Sequence, residues 1–367
     1  MKILINIVRV IVGLLFIFSG LIKANDPLGL SYKMQEFFEL WGMTQFNDHT
    51  LWLSIVMIAF EIIAGVALLL GWRMKLFMWL LLLLIVFFTF LTGYAYLSGK
   101  FKNCGCFGDC IPITPLTSFV KDLVLTVLIL FLFRHKNKIS PLFNNKVSVI
   151  LMLLATIFSF GVQWYMLNYL PMFDCLGYKK GKNITEQMKI PAGAIRDSFD
   201  IRFIYEKDGK EHEFSVSEIP SDTTYKYKSR TDKLVRKGNA EPPVKGFSLS
   251  GVTDEDSTAV VLSQPQAIVI FSEDFGKAGD SWKKDFALLY AAAKAKNIPV
   301  YAVTGRMDNA QNAILGTPFS DMQIFTCDIT AIRTASRANP TVYLLKNGTI
   351  EEKQSYRRMD KVTSLIR

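Results

Sequence analysis

Five stretches of about 20 apolar residues fill most of the first 170 positions, and no other feature restricts the fold so tightly. They run over 3–22, 51–70, 76–97, 116–133 and 147–169. A hydrocarbon core about 30 Å thick is crossed by about 20 helical residues, so each stretch is long enough to span a bilayer. In lipid the backbone must bond to itself, which makes helices the expected form of such segments. The first stretch reads as an uncleaved anchor, because Ile22-Lys23-Ala24 lacks the small-residue pattern of a signal-peptide cleavage site. Residues 171–367 have ordinary soluble composition. The expected fold class is a multi-pass α-helical membrane bundle of five transmembrane helices followed by a soluble α/β region.

Basic residues assign the sides of the membrane. Lys2, the Arg73/Lys75 turn and the loop with Arg134, Lys136, Lys138 and Lys146 fall on one face if there are five spans. The 23–50 loop, the loop at 98–115 and everything after Tyr169 fall on the other. This predicts a bacterial inner-membrane protein with a cytoplasmic N-terminus and a periplasmic C-terminal half. The net charge of +10 does not imply nucleic acid as a partner. Many of the basic residues sit in short loops beside anionic lipid, and those of 225–230 and 233–237 read as a solvated face. Two carboxylates need a reason. Glu61 falls near the middle of the second span, where its charge is costly unless it is neutral, paired or facing water. It is expected either to be a neutral carboxyl hydrogen-bonded to a neighbouring helix or to handle protons or quinone. Asp122 is expected in the first turn of the fourth span, against the positive end of the helix dipole.

Three of the five cysteines fall in Cys104-Gly-Cys-Phe-Gly-Asp-Cys110, on the outward face, and Cys175 follows the fifth span. A Cys-x-Cys disulfide closes a very small ring and departs from relaxed geometry, so Cys104 and Cys106 suit exchange better than stapling. Gly105 supplies the backbone freedom such a ring demands. Cys110 and Cys175 then form a second pair or resolve the first. A competing use is structural, with disulfides tying the loop to the end of the fifth helix. A four-thiolate metal site fits poorly, since the spacing is irregular for zinc and an oxidising compartment opposes free thiolates. No metal is expected, and His49, His135 and His212 are scattered. Four outer cysteines allow three full pairings, and spacing leaves all three open.

Phe18-Ser-Gly-Leu-Ile-Lys23, Glu61-Ile-Ile-Ala-Gly65, Cys104-Gly-Cys-Phe-Gly108 and Lys121-Asp122 together resemble the DoxX/MauE group of small membrane proteins over residues 1–135. The resemblance implies a four-helix membrane core, to which this chain adds a fifth helix at 136–170. DoxX-like proteins are linked to quinone-dependent sulfur oxidation, and MauE-like ones to disulfide formation during maturation of a periplasmic enzyme. A quinone is the one cofactor this implies.

Beyond the membrane, 171–243 reads as a small β-rich periplasmic segment, with alternating runs at 199–205 and 211–216 around an Asp208-Gly209 turn. Residues 244–367 give strands at 267–272, 299–304, 322–327, 341–345 and 349–353, with helices at 281–296, 330–337 and 361–367. This order resembles the thioredoxin fold, with Pro340 at the position of its cis-proline. The chain departs from that family at the turn after the first strand, where Phe271-Ser-Glu-Asp-Phe-Gly-Lys277 replaces Cys-x-x-Cys and holds no thiol. Cys327 is expected to be a small buried residue.

Two functions follow. One is thiol–disulfide redox activity, quinone-coupled, in which Cys104, Cys106, Cys110 and Cys175 exchange electrons, Glu61 assists, and envelope proteins mature as clients. The alternative is a non-enzymatic membrane-anchored assembly factor with a degenerate thioredoxin-like binding domain and structural disulfides. Spacing alone does not decide between an enzyme and a binding protein.

Overall fold

The computed structural model describes residues 1–101, 105, 107–236, 238, 240–252 and 255–366. Cys104 and Cys106 lie outside the described residues.

Helices α1 (Lys2–Asn25), α2 (Pro27–Leu40), α3 (Thr50–Leu70), α4 (Met74–Ser98), α5 (Pro115–Arg134) and α6 (Asn145–Tyr169) form the first half. All but α2 are long and apolar enough to cross a membrane, and their positions agree with the five apolar stretches. In α1 the buried residues Ile5, Val8, Val12 and Phe16 recur at helical spacing, while Ile7, Ile11, Leu14 and Phe18 face outwards. Helices α1 and α3 cross where Gly13 meets Gly65. A Cβ on Gly65 would stand 2.8 Å from the Gly13 carbonyl oxygen, so the absence of side chains sets the approach. Helices α4 and α5 pack as a second pair, and α6 lies against α1 and α3.

Helix α2, which the apolar runs did not mark, is a 14-residue element started by Pro27 and capped by Asp26, whose side chain accepts from the Gly29 N–H. The Asp122 expectation is corrected. Thr114 caps α5 at Pro115, so Asp122 lies two turns inside the helix, beyond the reach of its terminal dipole. It is 1% exposed and is satisfied by Lys121 and Thr92.

After the short α7 (Ile184–Gln187) come β1 (Ser198–Lys207), β2 (Lys210–Ser215) and β3 (Lys226–Arg236) in a three-stranded antiparallel sheet of order β2-β1-β3. Asp208 and Gly209 both adopt positive φ in the β1–β2 turn. The runs 225–230 and 233–237, read as a solvated face, fall in large part in strand β3, whose described side chains are exposed along one side of β1.

Helix α8 (Thr258–Leu262) then leads into β4 (Ala267–Ser272), α9 (Lys283–Ala295), β5 (Val300–Thr304), α10 (Met307–Ile314), β6 (Gln323–Thr326), α11 (Ile329–Ala335), β7 (Thr341–Lys346), β8 (Thr349–Ser355) and α12 (Met359–Ile366). The sheet order is β6-β5-β4-β7-β8, with β4, β5 and β6 parallel and the β7–β8 hairpin antiparallel to them. Strand β4 is buried on both faces. Ile268 and Ile270 point to α9 and α12, and Val269 and Phe271 to α8 and α11. The Asn339–Pro340 bond is cis, and the arrangement is consistent with a thioredoxin-like fold. Tyr178 and Ile184 join the core on the α8/α11 face, so the start of the β-rich segment packs on the α/β sheet instead of the small one.

Cys327 sits at the end of β6 against the Gly246 carbonyl, and burial pushes its thiol up to about 11. At neutral pH it is therefore expected to alkylate about a hundredfold more slowly than an exposed thiol in the native chain, the difference disappearing in denaturant. Replacing Gly65 by Ala should force α1 from α3 and lower thermal stability in detergent by about 1–3 kcal/mol.

Candidate functional site: the cysteine loop and the two halves it joins

Cys110, at the end of the cysteine loop, forms a disulfide with Cys175, just past the end of α6. This is one of the pairings the sequence left open. The segment after α6 is held beside it by Asn25, the last residue of α1. The Asn25 amide donates to the Phe173 carbonyl at 2.9 Å, and its carbonyl accepts from the Phe173 N–H at 3.0 Å. Asn25 is 7% exposed, so its side of the clasp is shielded from water. Next to Cys175, Asp174 accepts from the buried Lys353 ammonium of β8 at 2.7 Å.

The α/β region meets the loop through Arg337, which lies between α11 and the cis-proline. Its guanidinium donates to Asp26 at 2.8 Å and to Asp109 of the cysteine loop at 2.9 Å. It is 5% exposed and stands 5.3 Å above the Tyr32 ring of α2, with Arg333 at 4.9 Å above the same ring. Burial pushes Asp26 above the usual carboxylate range despite the opposing effect of Arg337. For Arg337 burial acts downwards, and Asp26 and Asp109 together outweigh it, so its pKa is raised. Burial lifts Tyr32 to about 12.

At the turn after β4, where a thioredoxin-like dithiol would stand, Glu273 takes a two-pronged bond from Arg333 at 3.0 and 2.9 Å. Asp274 accepts from Gly276 N–H and Asn309, and Ser272 donates to Asn339. The turn has become a hydrogen-bonded polar joint facing α2.

Inside the bundle, Glu61 is paired with Lys23 of α1 at 2.5 Å, with exposures of 1% and 4%, and also accepts from Ser19 at 3.0 Å. The sequence led to a neutral Glu61 hydrogen-bonded to another helix; the partner is on another helix, but it is a cation and the contact an ion pair. The signal was present in Lys23 at the end of α1, an ammonium placed at membrane depth. Lys23 also lies 4.7 Å over the Phe88 ring. Glu61 is thus separate from the Cys110–Cys175 bridge and belongs to a polar cluster between α1 and α3.

An apolar groove of about 980 Å³ runs along the disulfide, walled by Cys110, Cys175, Phe18, Ile22, Val162 and Met166. Phe18, Leu21 and Phe158 put its rim on the exposed face of the bundle. Among the described residues, no cluster of His, Cys, Asp and Glu could hold a metal ion.

Arg337→Met, which keeps most of the volume, leaves Asp26 and Asp109 without their counter-charge. Removing one partner of a buried pair costs about 3–5 kcal/mol. The expected result is a lower melting temperature for the full chain and faster trypsin cleavage between 170 and 182, while unchanged cleavage would show that the remaining contacts suffice.

Comparison with known proteins agrees with the bundle. Residues 1–135 match the family model described as methylamine utilisation protein MauE. Residues 199–237, the three-stranded sheet, match a domain of unknown function, DUF8463. The chain is 31% identical over 155 residues to Protein TlpB of Flavobacterium psychrophilum, which covers 41% of this chain and 42% of that protein. The chain thus spans less than half the length of the curated relative it matches. No solved structure matches it. The membrane region of this multi-pass protein is MauE-like, and an α/β domain consistent with a thioredoxin-like fold is attached to it.

Proposed function

We propose that the chain is a thiol–disulfide redox protein of the bacterial inner membrane that assists maturation of envelope proteins. In this reading the N-terminus is cytoplasmic, and the cysteine loop and α/β domain are periplasmic. Cys104 and Cys106 act as the exchange pair, Cys110 and Cys175 resolve or reload it, and Glu61 assists with protons. The observation that carries the reading is the Cys110–Cys175 disulfide. It lies four residues along the chain from Cys106 and forms part of the wall of an apolar groove.

The groove suits a lipid-soluble quinone, which Phe18, Ile22, Val162 and Met166 would hold against the disulfide. Such a group would supply a two-electron acceptor reached from the lipid side. The chain's own contribution is to fix the disulfide there. Asn25 and the Lys353–Asp174 pair lock the segment that presents Cys175, and the Arg337–Asp109 pair locks the loop that presents Cys110. The domains divide the work as 1–135 for the redox core, 136–170 for the connecting helix, 171–243 for the β-rich segment and 244–367 for client presentation.

A second reading, a non-enzymatic assembly factor, is favoured by one observation. The turn after β4 holds a Glu273–Arg333 pair where exchange chemistry would need thiols. Disulfide mapping by mass spectrometry across a glutathione titration of the full chain separates the two. Rearrangement among Cys104, Cys106, Cys110 and Cys175 at a potential above about −300 mV is expected for exchange. In cells, Cys106→Ser should then abolish client maturation at unchanged protein level. A single resistant Cys110–Cys175 bridge, with Cys106→Ser only lowering abundance, would leave the assembly reading standing.

A further inference from the structure

Among the described residues that line the groove along Cys110–Cys175, only Asn25 and Tyr165 carry side-chain nitrogen or oxygen. The Asn25 amide is already taken up by the Phe173 backbone. Tyr165 of α6 therefore marks the polar end of the groove, and its hydroxyl accepts from Arg358 Nη2 at 3.2 Å. Arg358 belongs to the single 3-10 turn Tyr356–Arg358 that follows β8. It stands 5.0 Å over the Tyr169 ring, which stacks on Tyr165 at 4.9 Å. Beside it, Arg357 Nε donates to Asn168 at 2.7 Å. Each guanidinium thus commits one nitrogen to α6 and keeps its other N–H donors for what lies around it. Arg357 is exposed and Arg358 half-buried. Among the described residues neither has a carboxylate within ion-pair distance.

Helix α6 sets the depth of this cluster. It is one of the spanning helices and ends at Tyr169, so Tyr165, Asn168 and Tyr169 lie close to its end. Trp164, Tyr165 and Tyr169 give that end the aromatic girdle that marks the boundary between hydrocarbon and headgroups. The two cations therefore lie at the level of lipid phosphates, and Tyr165 joins them to a groove whose rim is on the exposed face of the bundle. Lipid tails are as apolar as the groove, so the groove by itself selects nothing. The guanidiniums do select, because basic side chains at the membrane surface favour an anionic headgroup over a neutral one.

We propose that this is a binding site for one anionic phospholipid, its phosphate between Arg357 and Arg358 and one acyl chain in the groove against the Cys110–Cys175 disulfide. The planar fork of a guanidinium matches phosphate oxygens, which makes arginine the suitable cation here. The two parts of the site come from different halves of the chain. The groove is built by α1, α6 and the residues flanking the disulfide, and the cations come from the α/β domain. A bound lipid therefore ties the domain to the bundle by a contact that neither the backbone nor the disulfide provides. The inference concerns occupancy alone and does not rest on the redox reading. That reading offers the same groove to a quinone, and the phospholipid chain is what an entering quinone would displace.

The test is native mass spectrometry of the full chain in detergent, titrated with phosphatidylglycerol or with phosphatidylcholine of the same chain length. Two basic groups predict one tighter site that prefers phosphatidylglycerol by about twentyfold. Arg357→Gln/Arg358→Gln should abolish that preference. Lys138→Gln/Lys146→Gln, which removes the same charge at the opposite end of α6, should keep it. A Cβ on Gly161, which lines the groove, meets nothing within 4 Å, so Gly161→Phe can fill the groove and should remove the tighter site for both lipids. Inorganic phosphate at millimolar concentration should leave the bound lipid in place. Folding is checked in every variant by the melting temperature and by the intact Cys110–Cys175 bridge. Equal binding of the two lipids by the wild type would overturn the proposal, as would a preference that survives in the arginine variant or is lost equally in the lysine variant. An unchanged site in folded Gly161→Phe would overturn the place given to the acyl chain. Displacement by phosphate alone would assign the arginines to a free anion and overturn the lipid as ligand.

Discussion

The arrangement of the two halves depends on one guanidinium in a place water hardly reaches. Arg337 is bound by Asp26 from the junction of α1 and α2 and by Asp109 from the cysteine loop. These three groups come from opposite ends of the chain, and each charge is tolerable where it lies because the others are present. The contact fixes more than a distance. Arg337 precedes the cis-proline by three residues, so the edge of the α/β domain that would carry thiols in a thioredoxin-like protein is turned towards α2. The Tyr32 ring beneath Arg333 and Arg337 adds an apolar floor with a negative π-face.

The bundle shows the complementary economy. Close helix approach at Gly13 and Gly65 and the apolar layers of α4 and α5 provide its packing. Buried acidic charge is gathered at one end, near the cysteine loop, while the buried Arg9 lies towards the other end against the Ser140 carbonyl. Lys23, Glu61, Lys121 and Asp122 form ion pairs that apolar side chains could have replaced, so their cost is better understood through chemistry than through stability. An apolar groove and a charged cluster thus lie on different sides of the same loop.

Much of the fold was legible in the sequence because its elements obey strong local rules. The five spans follow from hydrocarbon thickness, strand β4 from a short fully apolar run, and the β1–β2 turn from Asp208-Gly209. The misses have local causes too. Helix α2 is amphipathic and shorter than a span, α10 is only eight residues long, and β3 is so rich in lysine and arginine that it read as mere surface. Asp122 was misplaced although the start of its span was expected at 116, one residue from the observed Pro115, because position 122 lies about two turns past either start. The site was less legible. The Lys23–Glu61 contact spans 38 residues, and the Arg337 contacts span 311 and 228, distances over which sequence pattern carries no geometric information. Composition identified Glu61 and the cysteines as unusual, and only the fold could say that Lys23 and Arg337 complete their surroundings.

The disulfide also changes what counts as a connection in this chain. By joining Cys110 to Cys175 it closes a covalent ring that contains α5, the 135–144 loop and α6. The α/β domain therefore hangs from the first four helices by two routes, one through the peptide backbone of that ring and one across the sulfur bridge. A single cut in the 135–144 loop would open the ring without separating its ends. The fifth spanning helix could then be severed from the fourth while the domain beyond it stayed attached, until the bridge was reduced.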